Sequence, residues 1–398
     1  MSTRKRQYEA QRITLMDYIK QPIFLDSQST TPLNPKVFDL MRPYFIEKFG
    51  NPHSHHKYGL ENQVAISTAR QQVADSINAD PEEIIFCSGA TEANNFAITG
   101  LTEILSDHKK IITLETEHKC IIESASYAAD CGVEVVELKV NADGILNLHE
   151  LETELKKQPA IVSIMAVNNE TGVIQDMASI GELCEQHHSY LHTDAAQAIG
   201  RINLDVKEMN IMAMSISGHK FYGPKGIGVF FIDRKIKNMI KPLIRGGGQE
   251  FRLRSGTLPT PLCVGIGHAI ELATNNMKSD QDTCSQLKNL FLDELKTAIS
   301  EIEINGSLKE RITDNLNIRI PGIDSEQLIA NVPEVAFSTG SACTSGQIET
   351  SHVLRAMGLD DKKARESFRI SFNAALTKNQ ILDATNFIIR GCSKLRNI

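Results

Sequence analysis

The sequence predicts an α/β protein: a large domain on a mostly parallel sheet with helices on both faces, followed by a small α+β domain. Three observations predict it. From about residue 60, short apolar runs alternate with segments of helical period. After about residue 265 the texture changes to long polar helices flanking short strands. The length of 398 residues leaves room for two to three domains at about 150 residues each.

In chain order, Val64, Ile66, Ala69, Val73 and Ile77 are read as one face of a helix. Glu83 to Cys87 reads as a strand, after which Ser88 and Gly89 hand over to a new helix. Ile111 to Leu114 is a second strand, and Cys120 to Ala129 a helix closed by Gly132. The strand series continues with Glu134 to Leu138, Ala160 to Val167, Ser189 to Thr193, Ala213 to Ile216 and Gly228 to Ile232. Helical segments such as Ile180 to His187 lie between them, which is the pattern of βαβ units. Gly246 to Pro261 is expected to be a loop near the domain junction. Beyond it, helices over Ile270 to Ser300 and Thr377 to Leu395 flank strands Asn317 to Ile320 and Phe368 to Phe372. The expected boundaries are 25–275 for the large domain, and 1–24 with 276–398 for the small one.

Composition excludes several classes. Apolar residues make up 41% and charged residues 23%, which rules out a disordered chain, a collagen and a coiled coil. No apolar run reaches the eighteen or so residues of a membrane span. The charge, 42 − 49 = −7, gives no basic footprint for nucleic acid or an anionic membrane. The eight cysteines form no CxxC pair, so no metal site is expected. Residues 1–20 carry Arg4, Lys5, Arg6 and Arg12 but also Glu9 and Asp17, with no apolar core. That reads as an extended arm or short helix rather than a presequence. Free thiols and a cytoplasmic location are the expectation.

Ligands of an open parallel sheet sit at the carboxyl ends of its strands. Three predicted strands end in polar residues of unlike kinds: Asn168-Asn-Glu-Thr-Gly172, then Asp194 with Gln197, then Ser217-Gly-His-Lys220. Asp194 and Lys220 could form a plain structural ion pair. That is the commoner case for such a pair; the sharper reading makes them the pyridinium partner and the cofactor-bound lysine of a pyridoxal phosphate site. That second reading needs a phosphate cradle and a ring stack. Ser88, Gly89, Ala90 and Thr91 follow a strand and open a helix, where backbone N–H groups can hold a phosphate. Ser217 and His219 could add donors. His118 sits at a strand-to-helix handover and could stack on a ring. Cys343 lies in a Ser/Gly-rich loop, which suits an exposed nucleophile as well as an incidental surface thiol. Arg369 could clamp a carboxylate with its fork or form a salt bridge.

Together Ser88-Gly-Ala-Thr-Glu92, Glu117-His-Lys119, Val167-Asn-Asn-Glu170, Ser217-Gly-His-Lys220, Arg254-Ser-Gly-Thr-Leu-Pro259 and Gly340-Ser-Ala-Cys-Thr-Ser345 resemble a cysteine desulfurase of the iron–sulfur assembly and tRNA thiolation type. The resemblance runs from about Leu25 to the C-terminus. It implies a fold-type I pyridoxal phosphate enzyme that acts as a homodimer. It implies that L-cysteine is the substrate, that alanine is released and that sulfur is held as a persulfide on Cys343. It carries over Lys220 as the cofactor-bound lysine, Asp194 as the pyridinium partner, Gln197 at the ring hydroxyl and His118 on the ring and in proton transfer. Ala90, Thr91, Ser217 and His219 are carried over for the phosphate, with Thr257 from the second subunit, and Asn168 and Arg369 for the substrate carboxylate.

Three segments depart from the family pattern. Ser27 stands where an aromatic is usual, Phe251-Arg-Leu253 breaks the run before Arg254, and Asn373-Ala-Ala-Leu376 replaces a Gly-Arg-Phe-Thr-like stretch. The chain also ends at Ile398, short of the extension with which the housekeeping form docks its scaffold, so a sulfur-acceptor partner is expected but not that mode of docking. The competing readings are a selenocysteine lyase or other class V enzyme, and a non-catalytic homologue that binds a partner.

Overall fold

The computed structural model describes residues 21–105, 109–339 and 350–396. The described residues begin with β1 (Ile23–Phe24) and a polar segment, Asp26 to Thr31, ahead of the long helix α1 (Lys57–Ser76). Ile66, Ala69 and Val73 of α1 are buried, as their spacing requires, and Ile77 just beyond its end is buried too. Val64 is 67% exposed, contrary to expectation. It lies two residues from Ile66, about 200° around a helix, and so falls on the opposite face.

The large domain then alternates strand and helix: β2 (Ile84–Cys87), α2 (Ala90–Leu101), β3 (Lys110–Leu114), α3 (Lys119–Asp130), β4 (Glu134–Leu138), α4 (Leu148–Leu155), β5 (Ile161–Ser163), α5 (Met177–Gln186), β6 (Tyr190–Asp194), β7 (Ile211–Ser217) and β8 (Gly228–Ile232). The seven strands form one sheet in the order β2-β8-β7-β6-β5-β3-β4. Strands β4, β3, β5, β6 and β7 are mutually parallel, and β8 runs antiparallel between β7 and β2. The mostly parallel α/β sheet that the alternating pattern predicts is therefore present. The expected strand over Ala160 to Val167 is regular only over Ile161–Ser163, although the Ile164 and Ala166 N–H groups still donate to the His192 and Asp194 carbonyls of β6 before the polar loop begins.

Apolar residues face both sides of the sheet. One core holds Phe86, Val162, Leu191, Met214 and Val229, and the other holds Ile85, Ile111, Ile161, Ala213 and Phe230. Neighbours in sequence thus alternate between the two layers, as the period of a strand requires.

A 39-residue helix, α6 (Thr260–Ala298), leaves this domain and enters the next. Its Cys263, Ile266 and Ile270 belong to the large core, and its Cys284, Leu287, Phe291 and Leu295 to the small one. The small core is completed by β10 (Asn315–Arg319) between β9 (Glu303–Ile304) and β12 (Ser367–Ser371), by α7 (Ser325–Asn331) and β11 (Val335–Ala336), and by the terminal helix α9 (Lys378–Arg396). The short helix α8 (His352–Ala356) packs in a separate cluster of its own with Met357, Ala364 and Val140. Strand β1 pairs in parallel with β11, so Leu25 packs in the small core although it is early in the chain.

Candidate active site

The parallel strands end on one side of the sheet, and a cavity of about 1150 Å³ opens there between the two domains. That exceeds the usual size range of small-molecule pockets. The register sets Asp194 of β6 beside Ser215 of β7, so Asp194 and Ser217 lie at neighbouring strand ends.

Asp194 is 6% exposed and is fixed at both oxygens. Asn94 Nδ2 of α2 donates to Oδ2 at 2.7 Å, and the Ala196 N–H donates to Oδ1 at 2.8 Å. The carboxylate is therefore held in one orientation toward the cavity that it lines.

Lys220 follows β7 through a single 3₁₀ turn, Gly218–Lys220. Its Nζ donates to the carbonyls of Gln28 and Ser29, at 2.7 and 2.8 Å. Burial pulls its pKa down to about 8, Arg369 and Arg201 add to the shift, and Asp194 opposes it. The amine is thus far closer to neutral at physiological pH than a surface lysine.

The turn between β2 and α2 places Ser88, Gly89, Ala90 and Thr91 on the cavity at the positive end of a twelve-residue helix. Gly89 has φ +154°, and Gly228 at the start of β8 packs against it. A Cβ on Gly228 would lie 2.5 Å from Gly89 Cα and from the Ile216 carbonyl. Only two glycines let the turn come this close to the sheet. Ser217 and His219 line the same cavity, and the Ser217 hydroxyl lies beside Gly89. His219 Nδ1 is 3.0 Å from Thr30 Oγ1, and burial lowers its pKa to about 4, so it is neutral near pH 7.

His118 caps α3. Its Nδ1 accepts from the Cys120 N–H at 3.2 Å, which leaves the proton of the neutral ring on Nε2. Its pKa is lowered by burial, with Asp194 acting in the opposite direction. Gln197 Nε2 donates to the Gln28 carbonyl at 2.9 Å, while its Oε1 is buried and has no partner among the described residues.

Arg369 of β12 reaches the cavity from the small domain and is 4% exposed. Its Nη2 donates to Asp26 Oδ1 at 2.7 Å, and its Nη1 to the Asn169 carbonyl at 2.7 Å. Arg369 does form a salt bridge, and that bridge is buried rather than exposed.

Two of the expected residues do not line the cavity. The Asn168 side chain is consumed by its own loop: Oδ1 accepts from the N–H groups of Glu170 and Thr171, and Nδ2 donates to the Thr116 carbonyl. Its neighbour Asn169 lines the cavity instead, with a buried Oδ1 that has no partner among the described residues. Thr257 lies exposed on the loop before α6 and outside the cavity. Cys343 and its loop motif lie outside the described residues.

Several residues line the site without standing at a predicted strand end. The segment Asp26 to Thr31 supplies the two carbonyls for Lys220, the Thr30 contact to His219 and a Thr31 hydroxyl bond to the His219 carbonyl. Its only sequence signal is a polar run directly after the apolar Ile23 to Leu25. His352 also lines the cavity, its Nε2 2.9 Å from the Glu117 carbonyl. Cys120 lies 3.0 Å from His118 Nδ1, but burial raises its pKa to about 12, so it stays a thiol. Two of the departing segments meet each other: Asn373 Nδ2 donates to Ser27 Oγ at 3.3 Å. In the third, Glu250, Phe251 and Arg252 all have positive φ. That backbone strain aims the Glu250 carboxylate inward, where it holds Arg70 and the Phe86 N–H of β2.

The site combines a low-pKa amine, a fixed carboxylate, a helix N-terminus with hydroxyl donors, and a buried guanidinium. Comparison with known proteins gives the family. Residues 23–383 match the aminotransferase class-V family model. The chain is 44% identical over 379 residues to cysteine desulfurase IscS of Rickettsia prowazekii (strain Madrid E), covering 95% of this chain and 92% of that one. It is 44% identical over 380 residues to the mitochondrial cysteine desulfurase of Arabidopsis thaliana, covering 95% and 84%. A solved NifS-like protein superposes with a TM-score of 0.87 at 31% identity, covering 94% of this chain and all of the other. The chain belongs to the aminotransferase class-V family, among the cysteine desulfurases.

Proposed function

We propose that the chain is a pyridoxal-phosphate-dependent cysteine desulfurase. It takes sulfur from L-cysteine, releases L-alanine and holds the sulfur as a persulfide on Cys343 for iron–sulfur cluster assembly or tRNA thiolation. The observation that carries this reading is the convergence of Lys220, Asp194 and the Ser88–Thr91 turn on one cavity, in a chain this similar to cysteine desulfurases.

The residues present fit the cofactor. Gln197 Oε1, without a partner among the described residues, is an acceptor for the ring hydroxyl, and the glycine-tight turn with Thr91, Ser217 and His219 is a cradle for a phosphate. Asp194 would keep the proton on the pyridine nitrogen. When bound, the cofactor supplies an electron sink for the charge left as the substrate loses its α-proton.

The chain's own groups do the rest. Arg369 holds the substrate carboxylate. Lys220 is the base that takes the α-proton, and its lowered pKa of about 8 makes the neutral amine far more accessible than in a surface lysine. His118 carries its proton on Nε2 and can pass it to the leaving product. Cys343 as thiolate attacks the substrate sulfur. The S–S bond forms as the C–S bond breaks, and the carbon takes up a proton to become alanine.

A homodimer is part of this reading. Phe38, Phe45, Ile46, Phe49, Tyr58 and Val64 are exposed apolar residues within one short stretch, and Thr257 stands exposed where a second copy could receive it. The reading also takes the location as cytoplasmic. Among the described residues no helix is long and apolar enough to cross a membrane.

The decisive experiment is mass spectrometry after L-cysteine is added. A sulfur adduct of about 32 daltons on Cys343, absent in Lys220→Ala, is the expected result. Alanine release that survives Lys220→Ala would overturn the assignment.

A further inference from the structure

Asp194 and His118 are joined by two side chains that take no part in the chemistry, Asn94 and Cys120. Asn94 of α2 is fully buried. One of its amide hydrogens goes to Asp194 Oδ2 at 2.7 Å and the other to Cys120 Sγ at 3.1 Å. Reversing the amide would set Asn94 Oδ1 against the Asp194 carboxylate, so its orientation is fixed. Cys120 Sγ in turn lies on the cavity wall, 3.0 Å from His118 Nδ1.

The direction of that last contact follows from its neighbours. The Cys120 N–H already points at Nδ1, at 3.2 Å, so Nδ1 carries no proton and can only accept. Burial, with Asp194 nearby, pushes the thiol's pKa up to about 12, so the sulfur keeps its own proton. The thiol therefore donates to Nδ1. Asn94 thus donates to the carboxylate on one side and to the thiol on the other, and the thiol donates on to the imidazole.

We propose that Cys120 is a positioning residue for His118: its S–H, oriented by Asn94, holds Nδ1 as an acceptor, keeps the ring proton on Nε2 and ties the ring to the Asp194 carboxylate. Its place in the reaction rests on His118 acting in proton transfer, as proposed above. Charged groups from several elements also act on the imidazole. Asp194 of β6 favours its cation, whereas Lys220 after β7, His352 of α8 and Lys119 of α3 itself oppose it. A proton added at Nδ1 would meet the Cys120 N–H and turn the S–H away, so Cys120 adds to that opposition.

The test is nitrogen NMR of the full-chain holoenzyme labelled in its histidine rings, with the His118 signals identified by their loss in His118→Gln. In wild-type protein Nδ1 is expected to give the signal of an unprotonated ring nitrogen at neutral pH. Cys120→Ala removes the thiol donor, and the proton affinity of His118 is expected to rise about threefold or more, the effect of one hydrogen bond to the neutral ring. Cys120→Ser keeps a donor at the same place and should return the affinity to within about twofold of wild type.

A proton on Nδ1 in wild-type protein overturns the proposal, and that result needs no variant to fold. So does an affinity unchanged in Cys120→Ala, or one raised equally in Cys120→Ser, which would trace the effect to lost volume. The His118→Gln protein separates the underlying reading from the proposal. Turnover of L-cysteine that survives it removes His118 from the reaction, whatever Cys120 does to the ring.

Discussion

The two walls of the cavity are built in opposite ways. On the large-domain wall, Asp194, Ser217, Lys220, His118 and Thr91 each sit within a few residues of a strand's end, where the chain turns into its next element. On the facing wall, Asp26, Gln28, Ser338 and Arg369 meet across sequence separations of up to 343 residues. The first wall is a property of the βαβ unit, because the parallel sheet delivers its strand ends to one place. The second is a property of the whole chain. It exists only because β1 crosses to the small domain and pairs with β11. The strand-end residues are local to a fold motif, while those of the facing wall come from wherever the chain closes.

The largest effect should come from breaking the assembled wall at its centre. Arg369→Ala leaves Asp26 without its counter-charge, which costs about 3–5 kcal/mol for a buried pair. A lower unfolding midpoint in denaturant should accompany a loss of L-cysteine affinity. Stability unchanged to within about 1 kcal/mol would mean that the pair contributes nothing to the fold.

The matching break on the strand-end wall is Gly228→Ala. The added methyl would meet Gly89 Cα and the Ile216 carbonyl at 2.5 Å. Relief requires the phosphate turn to move, at about 1–3 kcal/mol. The expected outcome is that the cofactor is lost on dialysis faster than from wild type, with the substrate wall intact.

A subtler handle lies beneath the strand ends. His192 is fully buried between Ser163 Oγ and Ser215 Oγ, at 2.9 and 3.0 Å, and burial lowers its pKa to about 3. The unfolded chain takes up a proton below about pH 6.5 that the native state refuses. This group therefore removes stability as pH falls from about 6.5 toward 3, by about 1.4 kcal/mol per unit. His192→Gln should be less stable than wild type at neutral pH, with the gap narrowing at that rate below about pH 6. A gap independent of pH would show that His192 is charged in the native protein.

The smallest effect is a displacement along the pH axis. A base with the Lys220 pKa of about 8 should give a turnover rate that rises through pH 8 and levels off above it. A rise near the ordinary lysine value of about 10 would mean that the amine is not desolvated as its surroundings require.

The same contrast explains how much is legible in the residues alone. The alternating elements, the sheet and the strand-end residues follow from local periodicity and local handovers, and the structure brings Thr91, His118, Asp194, Gln197, Ser217, His219, Lys220 and Arg369 to one cavity. Asn168 and Asn169 cannot be separated that way, because adjacent residues in a loop differ only in which one the turn consumes. The Asp26–Thr31 segment reads in sequence as a departure rather than as part of the site, since nothing local ties it to Lys220 or Arg369. Val64 shows the reverse failure, an apolar residue whose angular position on its helix outweighs its hydropathy.

The pairing of β1 with β11 has a consequence for synthesis of the chain. The ribosome delivers Asp26 first and Arg369 more than three hundred residues later, and the carbonyls that steady Lys220 wait in the nascent chain all that time. The large sheet can form from local βαβ contacts while translation continues, but contacts of such long range come late. The cavity therefore acquires its second wall only near the end of synthesis, and a truncated chain would hold the strand-end groups without the residues that close the cavity over them.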